Sequence, residues 1–510
     1  MRRRLAIALV AAALTGAAAG SAAAGEDRDG GLAPDVIPAD AEQERAMAEA
    51  APVLPAAANE DQDLGLIPSG LAEEPPIVSA TPAFPPGSPA RSRLETKLFL
   101  EDAFTLASPV RTLPVPYPGT LPGWQNRTSF DLYLQAWPSR SLTITLSNRL
   151  NLIEQDGVDF LSRQTVRNDL REVYFTWELA PATYLEAGRI NLRNGAALGW
   201  NPTDFFKTRT LVGQASLDPS AIRQNRLGTL MARAQKIWKG GSASLVYAPR
   251  VQSPSPIARG DRLGVDPSFD ATNAAHRAAA VLGLDLGDFS AQVLGYFEQH
   301  RSKLGVNLTR PIGDAVIAYA EWAGGPEQNL IARSLAFGQA TGTLPPDAVL
   351  LPPTDAGTAF RNDVAAGASW TIARKVTLNV EYHYHQAGLG RQDWRDWFDI
   401  GSSPASSPAV PDELWYLRGY ALDQQEPATR HQAFVRGDWP RAFTSRLALS
   451  GFALVDLLDG STLAQAQVSY YPSDAWTIAL YGSLHAGASR SEYGSLPQWG
   501  SAVLQIVRYL

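Results

Sequence analysis

The sequence predicts an all-β protein, a transmembrane antiparallel β-barrel of about eighteen strands preceded by a disordered N-terminal extension. Three observations carry that expectation. From Arg93 to the last residue, segments of apolar–polar alternation recur, and alternation marks a strand with one greasy and one wet face. Between those segments short turns alternate with long polar loops, the asymmetry of membrane barrels. The chain is 45% hydrophobic, yet past its N-terminus it has no apolar run of roughly twenty residues, as a transmembrane helix requires.

In chain order, Met1-Arg2-Arg3-Arg4 is basic, Leu5 to Ala18 is a short apolar stretch, and Ala22-Ala23-Ala24 before Gly25 is an A-x-A cleavage site. Residues 1–24 therefore read as a secretory signal peptide. Residues 25–91 are rich in Ala, Pro, Asp and Glu and poor in aromatics. Such a segment buries too little apolar area to offset its ordering entropy, so a disordered periplasmic extension is expected. Within it, Ala39 to Ala51 has the Ala and Glu content of a short helix. A plug inside the barrel is the alternative for this extension. Residues 92–510 are left for the barrel.

The barrel opens with Arg93 to Phe104 and a Pro-rich loop at Pro109 to Pro122. Ser129 to Trp137 and Ser141 to Ile153 follow, with Phe130, Leu132, Leu134, Ile144 and Leu146 expected outward. The next hairpin organises the chain. In Arg171 to Leu179, Val173, Phe175, Trp177 and Leu179 take one face, and Glu172, Tyr174, Thr176 and Glu178 the other. Ala180-Pro181-Ala182 turns the chain and Thr183 to Asn191 returns. The pattern then lapses from Leu192 to Asn225, and a loop that long in a folded domain is usually functional.

Strands resume at Leu227 to Trp238, Ser242 to Ala248, Ala275 to Leu286, Phe289 to Gln299, Lys303 to Thr309 and Ala315 to Ala323. Ala359 to Trp370 and Val376 to Gln386 come next, the latter with Val376, Leu378, Val380, Tyr382 and Tyr384 opposite Thr377, Asn379, Glu381, His383 and His385. His431 to Trp439, Ser445 to Val455, Leu463 to Tyr471, Trp476 to His485 and Trp499 to Leu510 complete the set. Gly324 to Thr358 and Gly388 to Ala428 are long loops, the second carrying Trp394, Trp397 and Trp415. Trp137, Trp439, Tyr471 and Trp476 sit at strand ends, where an interfacial aromatic girdle is expected.

A net charge of -7 and a pI of about 5.5 argue against nucleic-acid partners. The absence of Cys excludes disulfides, thiol catalysis and thiolate metal sites. Expected lumen residues carry both signs: Glu172, Glu178, Glu321, Asp363 and Glu381 beside Arg149, Arg233, Arg361, Arg436 and Arg446. A wet lumen tolerates such charges, which either focus ions or pair across it. His383 and His385 share a face with Glu381. Three ligands in a row on one strand rarely close a tetrahedral metal site, so they read as polar lumen residues. His276, His300, His431 and His485 are scattered, and no nucleophile, base and orienter converge. No enzyme, metal or cofactor is therefore expected.

Signal peptide, absence of Cys, amphipathic strands, loop asymmetry and a strand running to the last residue together resemble Gram-negative outer-membrane β-barrel proteins of the porin type. The resemblance covers roughly Arg93 to Leu510. It implies a place in the cell outer membrane, among its lipid, and insertion by the barrel-assembly machinery. In such proteins the machinery reads a last strand that usually ends in an aromatic residue; here Tyr509 is penultimate and Leu510 final. Gly188-Arg189-Ile190-Asn191, with Gly195, Gly199 and Asn201 to Phe206, is similar to a segment of porin-like barrels.

A barrel of this strand number is wide enough for an aqueous lumen. The expected function is passive passage of small hydrophilic solutes. The alternative is an export conduit for a polysaccharide or other secreted polymer, with the loops at Gly324 to Thr358 and Gly388 to Ala428 as lids. Asn194 to Arg223 is expected to fold inward, because Trp200, Phe205 and Phe206 have little reason to stand in water. Arg189, Arg193, Asp204, Lys207, Arg209, Asp218 and Arg223 would then sit at the constriction, and Glu172, Glu178, Arg233, Arg361, Asp363, Glu381, His383 and Arg436 would line the lumen.

Overall fold

Alternation along the chain becomes a wall with two chemically different faces. A computed structural model describes residues 93–510 apart from Arg111, 158–164, 258–261, His300, 349–350, 352–356 and 373–374. The expected signal peptide, the extension with its short helix, and His300 lie outside the described residues.

The strands are β1 (Arg93–Pro109), β2 (Trp124–Ser139), β3 (Leu142–Gln155), β4 (Val166–Ala180), β5 (Thr183–Ile190), β6 (Thr229–Trp238), β7 (Gly241–Ala248) and β8 (Arg262–Asp266). After them come β9 (Arg277–Asp285), β10 (Ser290–Glu298), β11 (Arg301–Ile312), β12 (Val316–Glu327), β13 (Ala359–Ile372) and β14 (Val376–His385). The chain finishes with β15 (His431–Trp439), β16 (Leu447–Asp456), β17 (Thr462–Ser473), β18 (Trp476–Ala486) and β19 (Gln498–Tyr509). Consecutive wall strands pair antiparallel, β7 joins β9 directly, and β19 returns to β1 from Phe99↔Tyr509 onward. Among the described residues only β8 stands outside the wall, touching β4 in parallel at Arg167 and Asp169. The other eighteen of the nineteen strands close an antiparallel barrel without a free edge.

The two faces follow the sequence parity. On β14, Thr377, Asn379, Glu381, His383 and His385 are buried inside, while Val380 and Tyr382 are exposed on the outside at 48% and 42%. Val173, Phe175, Trp177 and Leu179 of β4 likewise stand on the outer surface. An apolar outer belt on a closed eighteen-strand barrel is the architecture of outer-membrane porins, in which hydrocarbon replaces water outside the wall. No helix among the described residues is long and apolar enough to cross a membrane; the strands do the crossing.

The structure corrects some details. Trp137 points inward, 4% exposed, with the Arg93 guanidinium 5.3 Å from its ring centre. Tyr470 rather than Tyr471 is the exposed member of its pair, since one residue of slip reverses the face. The turn-side girdle is instead made by Trp177, Trp238, Trp370 and Trp476, all exposed near turns, together with Trp439, whose ring is tilted against that of Phe443. Arg446 is not a lumen residue. It lies in the β15–β16 turn, exposed, and donates to the Pro472 carbonyl. The long loops also hold helices: α1 (Pro219–Gln224), α2 (Phe269–Thr272), α3 (Leu330–Ala340), α4 (Arg391–Gly401) and α5 (Val410–Gln424). The last three share one apolar core built on Trp394, Trp397, Phe398, Leu414 and Trp415.

The two faces differ in what they tolerate. Val380→Arg, placed in hydrocarbon, should cost about 2–4 kcal/mol and sharply reduce membrane-inserted, heat-modifiable protein. Ser450→Arg, on the inner face beside Asp438, should leave insertion near the parental level. Comparing unheated and boiled samples of outer-membrane fractions by gel mobility checks both.

Candidate functional site

The segment between β5 and β6 does not lie on the surface. It crosses the lumen from wall to wall. At its root, Arg226 donates to Asn191 Oδ1 at 2.7 Å, to the Leu192 carbonyl at 2.6 Å and to both Asp204 carboxylate oxygens at 2.8 and 3.0 Å. The Asn191 N–H is taken by Glu172 of β4 at 2.9 Å. These bonds pin both ends of the excursion at one point, so the chain between must leave and return as a closed Ω.

Three stretches of wall then receive it. On the β12–β14 wall, Glu321 accepts the Ala197 N–H at 2.6 Å and Glu381 accepts those of Leu198 and Gly199 at 2.6 and 2.9 Å. Thr203 bonds Asn307 of β11 at 2.8 Å, and Phe205 stacks on Tyr296 of β10 at 4.7 Å between ring centres. Phe205 and Phe206 complete an apolar cluster with Met231, Val246 and Leu294 of β6, β7 and β10. Half a turn round the barrel, Ala215 packs with Ala103, Ala479, Tyr481 and Val503 of β1, β18 and β19. Leu217 N–H and Ser216 Oγ bond Gln465 of β17 at 3.0 and 3.2 Å. Asp218 caps α1 and pairs with Arg436 of β15 at 3.1 Å.

Beside this partition lies a cavity of about 700 Å³. Its wall side comes from β1–β3 and β15–β19, its other side from α5 and the residues after it. Asp204, Lys207, Arg223, Arg226, Arg418, Glu426 and Glu492 bring charge to the lining, and Trp124, Trp200, Trp415, Leu217, Ile222 and Val503 bring apolar surface.

Burial and neighbouring charges set the state of each group. Burial pushes the Asp204 carboxyl up, but Arg226 and Arg223 outweigh it and keep it below the usual carboxylate range. Burial pulls Lys207 down to about 8, with Asp204 opposing. Its ammonium donates to the Asn201 carbonyl at 2.6 Å and sits 5.0 Å from the Trp200 ring centre. Burial would raise Glu426, yet Arg333 at 2.7 Å brings it down to about 2. Burial lowers Arg418 to about 10. That guanidinium lies within 5.4 Å of the ring centres of Trp394, Trp397 and Trp415 and donates to the Glu492 carbonyl and Ser495 Oγ at 2.7 and 2.9 Å.

The residues singled out in the sequence divide into groups. Asp204, Lys207 and Arg223 line the cavity. Arg209 and Asp218 anchor the partition instead, Arg209 by bonding Asp423 of α5 at 2.9 Å and the Asp270 carbonyl at 3.0 Å. Arg189 is fully buried at the end of β5, 5.9 Å from the Phe269 ring centre, and Arg193 is half-buried at the start of the excursion. On the wall, Glu172 and Glu381 bind loop backbone as above, and Glu178 is half-buried beside the β4–β5 turn. Arg233 pairs with Glu186 at 3.2 Å, and Arg361 donates to the Glu327 carbonyl at 3.0 Å. His383 is bound to Glu381 and His385 to Asp363, each at 2.8 Å. Arg226, Arg418, Glu426 and Glu492 were not singled out, because nothing periodic marks a loop residue that meets its partner only in three dimensions.

The Lys207 charge is present below about pH 8 and lost above it. Raising the bath from pH 7 to pH 9 should therefore shift ion selectivity toward cations, and Lys207→Met should abolish most of that shift. Reversal potentials in a salt gradient measure both.

No protein-family model and no curated protein matches the chain. Solved barrels do resemble it. Pseudomonas aeruginosa OccK5 (OpdH) is 10% identical, with 82% of this chain and 98% of that one covered at a TM-score of 0.48. A BenF-like porin from Pseudomonas fluorescens Pf-5 is 12% identical with the same coverage and TM-score. Pseudomonas aeruginosa OpdK, solved with vanillate, is 11% identical, again covering 82% and 98% at 0.48. These are likenesses of barrel outline and do not bear on the solute.

Proposed function

We propose that this barrel is a channel for passive passage of small hydrophilic solutes across the outer membrane, narrowed by its own β5–β6 segment. The observation that carries the reading is the partition itself, which meets β10 on one side and β1, β18 and β19 on the other. It leaves beside it a cavity of about 700 Å³, within the span of small-molecule sites, roughly 300–1,000 Å³. An eighteen-strand wall alone would enclose a wide aqueous lumen, so the segment rather than the wall would set the size limit. Asp204, Lys207 and Arg223, which line the cavity, would set the local field felt by a passing ion.

The partition also weighs against the export of a polymer, which needs a clear bore. Purified protein in planar bilayers should conduct. Replacing residues 195–214 by a short Gly-Ser linker should keep the barrel inserted, raise single-channel conductance and weaken ion selectivity. In liposome-swelling assays the replaced channel should admit larger sugars than the parent. Parental conductance and selectivity after replacement would remove the segment from this role, and blockade by an anionic polysaccharide at low concentration would favour export.

A further inference from the structure

Residues 194–200 form the lip of the partition, and Leu198, Gly199 and Trp200 line the cavity directly. What holds this lip is unusual for a charged lumen. Glu321 and Glu381 are 1% and 2% exposed, yet their nearest partners are mainly main-chain N–H groups and neutral side chains rather than guanidinium groups. Glu321 accepts from Ala197 N at 2.6 Å and Asn201 Nδ2 at 3.1 Å, and Thr203 Oγ1, whose shorter contact is to Asn307, lies 3.1 Å away. Glu381 accepts from Leu198 N at 2.6 Å, Gly199 N at 2.9 Å and Tyr319 Oη at 2.6 Å, and meets His383 Nε2 at 2.8 Å. From the other side, Arg223 donates to the Asn194 and Gly195 carbonyls at 2.7 and 2.9 Å.

The lip is shaped to be seized in this way. Gly195 has φ +92°, and a Cβ there would collide with the Glu321 carboxylate. A Cβ on Gly199 would meet the rings of His383 and Phe434. Two glycines thus let bare backbone come up to two wall carboxylates, and a carboxylate, with two oxygens that only accept, suits several such bonds at once.

Resting on the channel reading above, we propose that Glu321 and Glu381 are positioning residues forming a clasp that holds residues 194–200 against the β12–β14 wall and thereby sets the aperture. The cavity-lining charges tune the field, while the clasp fixes where the lip stands. Removing an acceptor leaves a main-chain donor unpaired and frees the lip to fluctuate. The charged and titratable groups facing the clasp are Tyr319, His383, Arg223 and Arg436, and the two carboxylates also face each other.

The test uses the full chain in planar bilayers. Glu381→Gln and Glu321→Gln, alone and combined, should raise open-channel current noise severalfold and increase mean conductance, with heat-modifiable mobility unchanged. Gly195→Ala leaves the wall untouched and attacks the same contact from the loop side; it should give the same noisy phenotype and carries the test if the wall variants fail to insert. Acidifying the bath should make the parent noisy, and the doubly substituted channel should have lost that response. Quiet channels of parental conductance in the inserted variants, or an undiminished acid response in the double variant, would overturn the clasp. If the Gly-Ser replacement opens the channel while these substitutions do nothing, the clasp alone fails and the constriction stands.

Discussion

Every strand hydrogen bond of this chain must be satisfied within the wall, because the solvent outside is hydrocarbon and offers no partner to a free N–H or C=O. That constraint forces closure of β1 onto β19, and closure forces the rest. Apolar side chains of one parity face lipid, so polar side chains of the other parity converge on the inside. The interior of the barrel is where this protein keeps its charge.

Charge concentrated in this way needs water or partners, since an unpaired buried charge is costly. Here much of it is met by other protein groups. Arg149 bridges Glu101 and Asp131 at 2.8 and 3.2 Å. Lys303 lies between Glu327 and Asp363, and Arg333 of α3 between Glu327 and Glu426. The second network joins β11, β12, β13 and β14 to α3 and to the chain after α5, so the helices at the mouth are tied to the wall. The partition is tied to the same helices by Arg209 to Asp423 and by Gln425 to Thr210 at 2.8 Å. Mouth, partition and wall are mechanically continuous, and at Glu321 and Glu381 the backbone of the lip meets the wall directly.

The apolar contacts of the partition serve a different purpose from those of a soluble core. Phe205 and Phe206 pack on the inner wall of β6, β7 and β10, where a wider pore would have water. Burying them removes apolar area from an aqueous lumen, which is favourable, and fills one sector of the bore. The cavity remains on the other side, against β1–β3 and β15–β19.

Local periodicity was enough to read the wall. The alternation at Val376 to His385 assigns each side chain to lipid or lumen because a strand repeats every two residues, and the structure has these faces as the pattern implies. Trp200, Phe205 and Phe206 in a stretch without alternation were enough to suggest that the chain turns inward there. Where the girdle was misplaced, at Trp137 and Tyr471, nearness to a strand end was weighed before parity, and parity already puts Trp137 on the inner face with Asp131 and Gln135. The helices α3–α5 were hidden by their setting, since each sits in a loop whose polar and aromatic content reads as irregular.

What the sequence determined by itself was therefore the barrel, its two faces and the existence of an excursion rich in aromatics and charge. What only the tertiary structure decided was which groups hold that excursion. Ala197 meets Glu321 across 124 residues and Leu198 meets Glu381 across 183. In the sequence those glutamates look like any inward acidic residue of a strand, because parity fixes the face a side chain takes and is silent about what crosses the lumen to meet it.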